Sequence, residues 1–272
     1  MHPFIHLGPI TLGTYGILVA TALLVAFFVL RADFVRRALT VDAETVIGIT
    51  GLAGLAGARL YHLMESPREF FADPWPLLFS TMGFAWFGSL IAGFIALVLL
   101  ARYYKIGILT MLDAASPAAA LGYGVGRIGC LISGDGDYGT PTSLPWGMSF
   151  PNGIVPTTER VHPTPIYEFL IALVLFWILW RLGGWAIRNA RPAGIVFAAY
   201  LVLSGVARFL IEIIRINPRS FLGMTNAQVA SLGSILAGAI LFLAVRTADG
   251  GQSNPPAGRA SRPNRSARRA RA

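Results

Sequence analysis

Residues 10–30, which form the stretch ITLGTYGILVATALLVAFFVL, decide the fold class of this chain. The stretch contains no charged side chain and is predominantly apolar around the whole circumference of a helix. A helix of about 20 residues crosses the hydrocarbon core of a bilayer, which is about 30 Å thick. Residues 10–30 therefore predict a helix that spans a membrane.

Six further segments of this kind follow, so the sequence predicts an all-α polytopic membrane protein with about seven transmembrane helices. The further predicted spans are residues 46–64, 85–101, 112–132, 164–180, 193–214 and 228–245. The composition agrees, because 55% of the residues are hydrophobic and 13% are charged, whereas soluble domains carry about 25% charged residues. A soluble cytosolic enzyme and a largely disordered chain are thereby excluded. The single cysteine excludes a disulfide-stapled domain.

The distribution of Lys and Arg predicts the orientation of the spans. With the N-terminus outside, the inner loops and the C-terminal tail hold fifteen of these residues and the outer loops hold four. Without the tail the ratio is still eight to four. Because short cytoplasmic loops are enriched in Lys and Arg, we expect the N-terminus outside and the C-terminus in the cytoplasm. No Lys or Arg precedes the first apolar run and no cleavage pattern follows it, so we interpret this run as a retained span.

The chain divides into a membrane domain, residues 1–245, and a tail, residues 246–272. The longest predicted outer loop lies near residues 133–163. The tail consists mostly of Gly, Pro, Ser, Ala, Asn and Arg, which predicts a disordered, Arg-rich cytoplasmic segment. A merely solvated tail is the simpler interpretation, and attraction of its arginines to anionic lipid is the functional one.

Four ionisable residues lie inside the predicted spans without an obvious explanation, namely Arg59, Arg127, Arg208 and Glu212. A charge at the centre of a membrane helix costs about 3 kcal/mol or more, so such residues indicate a functional site that faces the bundle interior. Arg208 and Glu212 are four residues apart and can pair on one helix face. Arg59 lies near the end of a span, where snorkelling to the interface is an alternative.

Arg127 lies within a glycine-dense stretch, residues 122–129, which reads GYGVGRIG. Its G-x-G-x-x-G pattern matches dinucleotide-binding loops, but those follow a β-strand, whereas a predicted membrane helix precedes Arg127. The glycines instead leave space beside Arg127 for a lipid head group or a neighbouring helix. A guanidinium can bind a phosphate through two parallel hydrogen bonds. A metal site is not expected, because four scattered histidines and one cysteine form no ligand-spaced cluster.

The motifs of this sequence, in their order and spacing, resemble the prolipoprotein diacylglyceryl transferase family over roughly residues 5–245. The matching motifs are Gly8-Pro9, Tyr15-Gly16, Gly57-Ala58-Arg59, Gly126-Arg127-Ile128-Gly129, Gly134-Asp135, Tyr138-Gly139, His162-Pro163-Thr164, Tyr167-Glu168, and Arg208-Phe209 with Glu212 and Arg215. Each motif is short, and the specificity lies in their order, spacing and depth in the predicted spans.

The resemblance implies a seven-span enzyme of the bacterial cytoplasmic (inner) membrane. Such an enzyme transfers a diacylglyceryl group from phosphatidylglycerol to the thiol of the lipobox cysteine in a preprolipoprotein signal peptide. The reaction on the outer side forms a thioether and releases glycerol phosphate. The expected partners are therefore phosphatidylglycerol, the lipobox signal peptide and the bilayer, with no nucleic acid, and no metal or organic cofactor is expected.

The resemblance, together with the intramembrane charges, also implies the site residues. Arg127 and Arg208 are the candidates that clamp the leaving phosphate, and Glu212 completes the expected catalytic set. The expected substrate-binding residues are Tyr15, Arg59, Gly88, Asp135, Asp137, Gly139, His162, Tyr167 and Glu168. Among these, Glu168 and Tyr167 would orient the arginines and the head group, and Tyr15 would line the same cavity.

The sequence departs from the family pattern where a thiol would be activated. Family members often carry His-Gly-Gly-Leu-Ile-Gly at the third span, and this chain has FGSLIA at residues 87–92, with Phe87 in place of the histidine. Cys130 stands where an Asn commonly follows the Arg127 motif, and residues 133–135 read SGD in place of Asn-Gly-Glu. A phenyl ring cannot accept a proton, although a thiol with a pKa of about 8.5 is already a few per cent thiolate near neutrality.

Three interpretations of the sequence therefore stay open. The first is a working transferase whose thiol is deprotonated by another group or by water. The second is a divergent paralogue that keeps the phospholipid site but uses another acceptor or is inactive. The third, a lipid-binding membrane protein or transporter, ranks last because we see no internal repeat of the kind typical of transporters.

Overall fold

A computed structural model of the chain describes residues 2–8, 10–65, 67 and 85–252. Within these residues, seven helices are long and apolar enough to cross a membrane, which confirms the predicted number of spans. The helices are α1 (Thr14–Arg36), α2 (Ala43–Glu65), α3 (Trp86–Tyr103), α4 (Ile108–Ser133), α5 (Thr164–Arg188), α6 (Ile195–Glu212) and α7 (Asn226–Gln252).

Several helix boundaries differ from the predicted ones. Helix α1 begins at Thr14, because residues 10–13 pair with residues 4–7 in a β-hairpin. Helix α5 continues beyond residue 180 to Arg188, where a charged side chain can reach the membrane surface. Helix α7 continues to Gln252, past the start of the predicted tail, and residues 253–272 of that tail lie outside the described residues.

Short β-hairpins occupy one end of the helix bundle. Strands β1 (Phe4–Leu7) and β2 (Ile10–Gly13) precede α1, β3 (Met148–Phe150) and β4 (Thr157–Val161) connect α4 to α5, and β5 (Arg219–Phe221) and β6 (Met224–Thr225) connect α6 to α7. Because successive spans alternate in direction, these three connections lie at the same end of the bundle, which we call the hairpin face. The other end is called the opposite face.

Helix α4 is the central helix of the bundle. In its most apolar stretch 56% of the residues are buried, against 33% or less in each of the other six helices. It packs against α1, where a Cβ on Gly129 would lie 3.3 Å from the Tyr15 ring, and against α5, where Gly124 faces Ala172. The other helices keep broad exposed apolar surfaces, which suits contact with lipid.

A buried aspartate of α4 fixes the start of α6 at the opposite face. The carboxylate of Asp113 accepts hydrogen bonds from the backbone N–H of Gly194, at 2.9 Å, and of Phe197, at 2.8 Å. These N–H groups lie at the first turn of α6, where backbone N–H groups have no carbonyl partner within the helix. Asp113 thus sets the position of the helix that carries Arg208 and Glu212 at its far end.

Candidate functional site

Alternation of helix direction brings the predicted site residues to the hairpin face. Arg127 lies near the end of α4, Glu168 near the start of α5, and Arg208 and Glu212 in the last turns of α6. Tyr15 begins α1 at the same face. Each of these helices begins or ends at this face. Residues that are distant in the sequence can therefore contact one another there.

Glu168 is the residue to which most of these side chains connect. Its Oε1 atom accepts hydrogen bonds from the hydroxyl of Tyr123, at 2.5 Å, and from Nη1 of Arg208, at 2.9 Å. The Nε atom of Arg127 lies 3.5 Å from the same oxygen. Nη1 of Arg215 donates to Oε2 at 3.4 Å. The Glu168 carboxylate is buried, and these donors offset the cost of removing its charge from water.

Asp137 is the second shared carboxylate. Arg127 and Arg215 each donate to one of its two oxygens, and the hydroxyl of Thr164 donates to its backbone carbonyl at 2.5 Å. Burial alone would raise the pKa of Asp137, but the charges of Arg127 and Arg215 outweigh it and lower the pKa below its usual value. Asp137 is therefore ionised at neutral pH and ties the loop after α4 to the two arginines.

Glu212 is the third carboxylate, and it pairs with Arg208 as the four-residue spacing predicted. Its Oε2 atom lies 2.9 Å from Nη2 of Arg208 and 3.7 Å from Nε of Arg215. Nδ2 of Asn217 donates to Oε1 at 2.5 Å. Both oxygens of this buried side chain thus contact donors, and the last turn of α6 is joined to the segment that follows it.

The arginine–carboxylate cluster is defined here as six residues with balanced formal charge, Arg127, Arg208, Arg215, Asp137, Glu168 and Glu212. The exposed fraction of the side chain is 26% for Arg208, 13% for Arg127 and 5% for Arg215. Arg208 is therefore the guanidinium that a ligand reaches most readily. Arg127 and Arg215 are more buried and approach the same carboxylate, that of Glu168.

Sequence reasoning missed two residues of this site. Arg215 belongs to the family motif but received no site role because it follows the predicted end of a span at residue 214, and the structure places its side chain buried in the cluster. Its spacing of three residues from Glu212 could have indicated the contact. Tyr123 precedes Arg127 by one helical turn, and the Arg127 guanidinium lies 4.9 Å from the centroid of the Tyr123 ring.

Asp135 lies beside the cluster, with its carboxylate oxygen accepting the backbone N–H of Asp137 at 3.2 Å. Burial, followed by the charge of Asp137, raises the pKa of Asp135 above its usual value. Ligand atoms of Cys130, Asp135 and Asp137 lie within 4.8 Å of one another, a spacing that could hold a metal ion. The donor set does not fit that role, because both oxygens of Asp137 already contact guanidinium groups.

His162 and Tyr167 form a hydrogen-bonded pair at the start of α5. The Nδ1 atom of His162 lies 3.2 Å from the hydroxyl of Tyr167, which also accepts the indole N–H of Trp146 at 2.8 Å. Gly139 positions this segment, since its N–H donates to the His162 carbonyl at 2.8 Å. A Cβ at Gly139 would lie 2.6 Å from the carbonyl oxygen of Ile214, so a larger residue would push the loop away from the cluster.

The remaining predicted site residues lie at the hairpin face but outside the cluster as defined. Tyr15 is half-exposed at the contact of α1 with Gly129. Gly88 packs on Gly57, where an added Cβ on Gly57 would lie 2.5 Å from the Gly88 carbonyl oxygen. Arg59 is partly buried near the end of α2, and the N–H of Ala85 donates to the carbonyl of its neighbour Ala58 at 3.1 Å.

Phe87 lies in the first turn of α3, at the same face. The exposed fraction of the residue is 39%, and its ring packs edge-on against Trp86 with centroids 5.5 Å apart. Nothing in this aromatic pair accepts a proton from a thiol. The group that activates the thiol must therefore lie elsewhere in the site or in the solvent.

The fold and the cluster together define a multi-pass membrane protein with a buried, charged site at one end of its bundle. The family model described as prolipoprotein diacylglyceryl transferase matches residues 3–244. The chain belongs to this family.

Curated relatives agree over most of their length. A phosphatidylglycerol–prolipoprotein diacylglyceryl transferase of Clostridium tetani is 32% identical over 235 residues, which cover 84% of this chain and 91% of the relative. The protein of the same name from Geobacter sulfurreducens is 33% identical, covering 90% and 93% of the two chains. That of Bordetella avium is 34% identical, covering 88% and 92%.

Proposed function

We propose that this protein transfers the diacylglyceryl group of phosphatidylglycerol to the lipobox cysteine thiol of a preprolipoprotein, and that the arginine–carboxylate cluster performs the transfer. Membership of the family over nearly the whole chain supports the activity. The observation that carries the residue assignment is the convergence of Arg127, Arg208 and Arg215 on shared carboxylates at one face of the bundle.

The reaction exchanges a carbon–oxygen bond for a carbon–sulfur bond. The cysteine thiolate attacks the glyceryl carbon that bears the phosphate, and the bond from that carbon to the phosphate oxygen breaks with its electron pair leaving on the oxygen. The products are the thioether and glycerol phosphate. Negative charge grows on the phosphate as the bond breaks, so cationic donors fixed beside it stabilise the transition state more than the bound lipid.

The exposed end of the cluster is the position for this phosphate. Arg208 would bind it directly, in exchange for part of its contact with Glu168, and Arg127 would add charge from behind. Glu168 and Glu212 hold the guanidinium groups in fixed positions, so that little reorganisation is needed when charge develops. Asp137 and Arg215 would join the loop to α6 and keep the site closed on that side.

The thiol proton needs an acceptor other than Phe87. Asp135 is the candidate that the geometry favours, because it lies beside the cluster and its pKa is raised toward the range useful for a general base. The groups around it are Asp137, Cys130 and Arg127. Direct ionisation in water is the alternative route, because a few per cent of a free thiol is ionised near neutrality.

The orientation of the protein is part of the proposal. The opposite face carries Arg36, Arg102, Arg181 and Arg188 at helix ends, which the positive-inside rule assigns to the cytoplasm. The hairpin face and the cluster then lie on the outer side of the bacterial inner membrane. A lipobox cysteine presented at the outer surface would reach the cluster there.

Substitution of Arg208 tests the residue assignment. Arg208→Ala should abolish transfer from labelled phosphatidylglycerol to a lipobox peptide, while Arg208→Lys should keep a small part of the rate because a lysine provides the charge without the paired hydrogen bonds. A peptide with Ser in place of the lipobox Cys is the control for thiol dependence, and thermal unfolding shows whether each variant is folded. Near-normal turnover by folded Arg208→Ala would refute the clamp.

The alternative, a divergent paralogue, rests on Phe87. This residue is the one departure from the family pattern that removes a proton acceptor. A folded protein that retains phosphatidylglycerol but transfers nothing to a lipobox peptide would favour that alternative. The acceptor would then be a different nucleophile at the same face.

A further inference from the structure

A second basic site lies at the opposite face, between the ends of α1 and α5. A cleft of about 430 Å³ is lined there by Arg36, Trp180, Arg181, Gly184, Ile187 and Arg188. Three of these residues are arginines and none is acidic. The motifs that resemble the family lie at the other end of the bundle, and none of their residues lines this cleft.

Aromatic rings and glycines arrange the arginines of the cleft. Nη1 of Arg36 donates to the Trp180 carbonyl at 2.8 Å, and the guanidinium lies 3.9 Å from the centroid of the Trp180 ring. Arg181 similarly lies 5.6 Å from the ring of Trp177. A Cβ on Gly184 would lie 3.3 Å from Nη1 of Arg188, so the glycine leaves room for that side chain.

The cleft has an excess of positive charge and unused donor capacity. Asp33 is shared by Arg36 and by Arg37, whose Nε lies 2.6 Å from it, so one acid faces two arginines. Nη2 of Arg36 is buried and has no hydrogen-bond acceptor among the residues that the structure describes. Arg181 and Arg188 add two further charges at the rim. An anion with several acceptor oxygens would balance this charge and accept hydrogen bonds from the exposed guanidinium groups at the rim.

The position of the cleft favours a lipid over a soluble anion. Helices α1 and α5 both begin at the hairpin face and end at the cleft, and the 23 residues of α1 span about 34 Å, roughly the thickness of a bilayer core. The side chains beside it include Trp177, which is 61% exposed, and half-exposed Trp185 and Ile187. Such a rim suits the interface between head groups and acyl chains.

We propose that this cleft binds the phosphate of an anionic phospholipid from the leaflet opposite the arginine–carboxylate cluster. The guanidinium groups of Arg36, Arg181 and Arg188 would contact the phosphate oxygens, and the first part of an acyl chain would lie along Ile187 and the neighbouring tryptophans. This lipid is a bound component of the protein, separate from the lipid that is consumed, because the two sites lie at opposite ends of the same helices.

Native mass spectrometry of the purified full chain tests the proposal, with phosphatidylglycerol and phosphatidylcholine as probes. The wild type should retain more phosphatidylglycerol than phosphatidylcholine. The double variant R181Q/R188Q should retain one fewer phosphatidylglycerol. The matched control R102Q/K105Q, which removes the same charge from exposed positions at the same face, should retain the wild-type number.

A third variant separates the cleft from general charge attraction. Gly184→Leu fills the cleft without changing any charge, and it should also lose the additional lipid while unfolding at a temperature close to that of the wild type. All these variants should keep the transfer activity in excess phosphatidylglycerol, because the substituted residues lie far from the cluster.

Three results would overturn the proposal. One is equal lipid retention by the wild type and R181Q/R188Q. Another is equal loss in the control R102Q/K105Q, which would indicate a diffuse charge effect. The third is displacement of the retained lipid by millimolar inorganic phosphate, which would identify a site for soluble phosphate.

Discussion

Asp135 and Asp137 are two neighbouring carboxylates with opposite electrostatic environments. Asp137 contacts Arg127 and Arg215, which lower its pKa, whereas burial and the charge of Asp137 raise the pKa of Asp135. The ionised form of Asp137 is therefore stabilised by folding, and the ionised form of Asp135 is destabilised. Two residues that look equivalent in the sequence SGDGDYG thus have different roles.

Substituting each aspartate by asparagine should reveal this difference. Asp137→Asn should lower the free energy of unfolding at neutral pH by about 2 kcal/mol, because it removes one of the carboxylates that the largely buried guanidinium groups of Arg127 and Arg215 contact, while Glu168 still contacts both. Asp135→Asn should leave stability unchanged or higher. Thermal unfolding in detergent measures both effects, and equal destabilisation by the two variants would contradict this account.

The pH dependence of the same pair follows from the direction of each pKa shift. Ionised Asp137 stabilises the folded protein above its unfolded pKa, and this stabilisation is lost as the pH falls through its lowered folded pKa. The destabilisation caused by Asp137→Asn should therefore shrink only at strongly acidic pH. Any gain in stability from Asp135→Asn should disappear at a higher pH, as the pH falls from the raised folded pKa of Asp135 to its unfolded pKa.

Several site residues could be predicted from the sequence, and the reason is the cost of charge in a membrane. Arg127, Arg208 and Glu212 fall inside apolar spans, where a charged side chain requires an explanation. Arg215 and Tyr123 carried no such signal, because Arg215 follows the predicted end of a span and a tyrosine fits an apolar helix. Their roles depend on contacts between helices, which residue spacing within one helix does not determine.

At the scale of the elements, the α2–α3 pair depends on close backbone packing. A Cβ at Gly57 would lie 2.5 Å from the carbonyl oxygen of Gly88, a distance that real side chains do not tolerate. Glycines recur every three residues in α2, at positions 48, 51, 54 and 57, a pattern typical of closely packed membrane helices, and the structure identifies α3 as the partner at Gly57. Gly88 thus has a packing role whether or not it also contacts substrate.

Gly57→Ala should therefore separate the two helices and lower the unfolding temperature. Gly48→Ala is the matched control, because a Cβ at Gly48 meets no atom within 4 Å and alanine favours a helix by about 1 kcal/mol. We expect Gly48→Ala to be neutral or stabilising when both are measured by thermal unfolding. A Gly57→Ala protein as stable as the Gly48→Ala protein would show that the helices are not packed this closely.

The hairpins and helix ends were less predictable than the spans. Residues 10–13 continue the apolar run of α1 in the sequence, yet they form a strand because they pair with residues 4–7. Asp113 lies at the start of the fourth predicted span, and its pairing with the first turn of α6 carries no signal in the sequence. Both features depend on a partner segment that the local pattern does not specify.

At the scale of the whole molecule, the predicted orientation places the cluster and the proposed lipid cleft on opposite sides of the membrane. Single cysteines introduced into a Cys130→Ala background can test this, because Cys130 is the one cysteine of the chain. Ser143→Cys lies on the exposed loop of the hairpin face, and Asn189→Cys lies at the end of α5.

In cells whose outer membrane has been removed but whose inner membrane is intact, a membrane-impermeant maleimide should label Ser143→Cys and not Asn189→Cys. After the membrane is opened, both should be labelled. The reverse pattern in intact cells would invert the orientation and would place the cluster on the wrong side for a lipobox cysteine at the outer surface.

The most direct test of the central claim is transfer from labelled phosphatidylglycerol to a lipobox peptide by the purified protein, beside the peptide with Ser in place of Cys. We predict labelled thioether and an equal amount of glycerol phosphate with the Cys peptide, and neither product with the Ser peptide. If the folded protein retains phosphatidylglycerol yet forms no labelled thioether with the Cys peptide, the proposed transfer is contradicted.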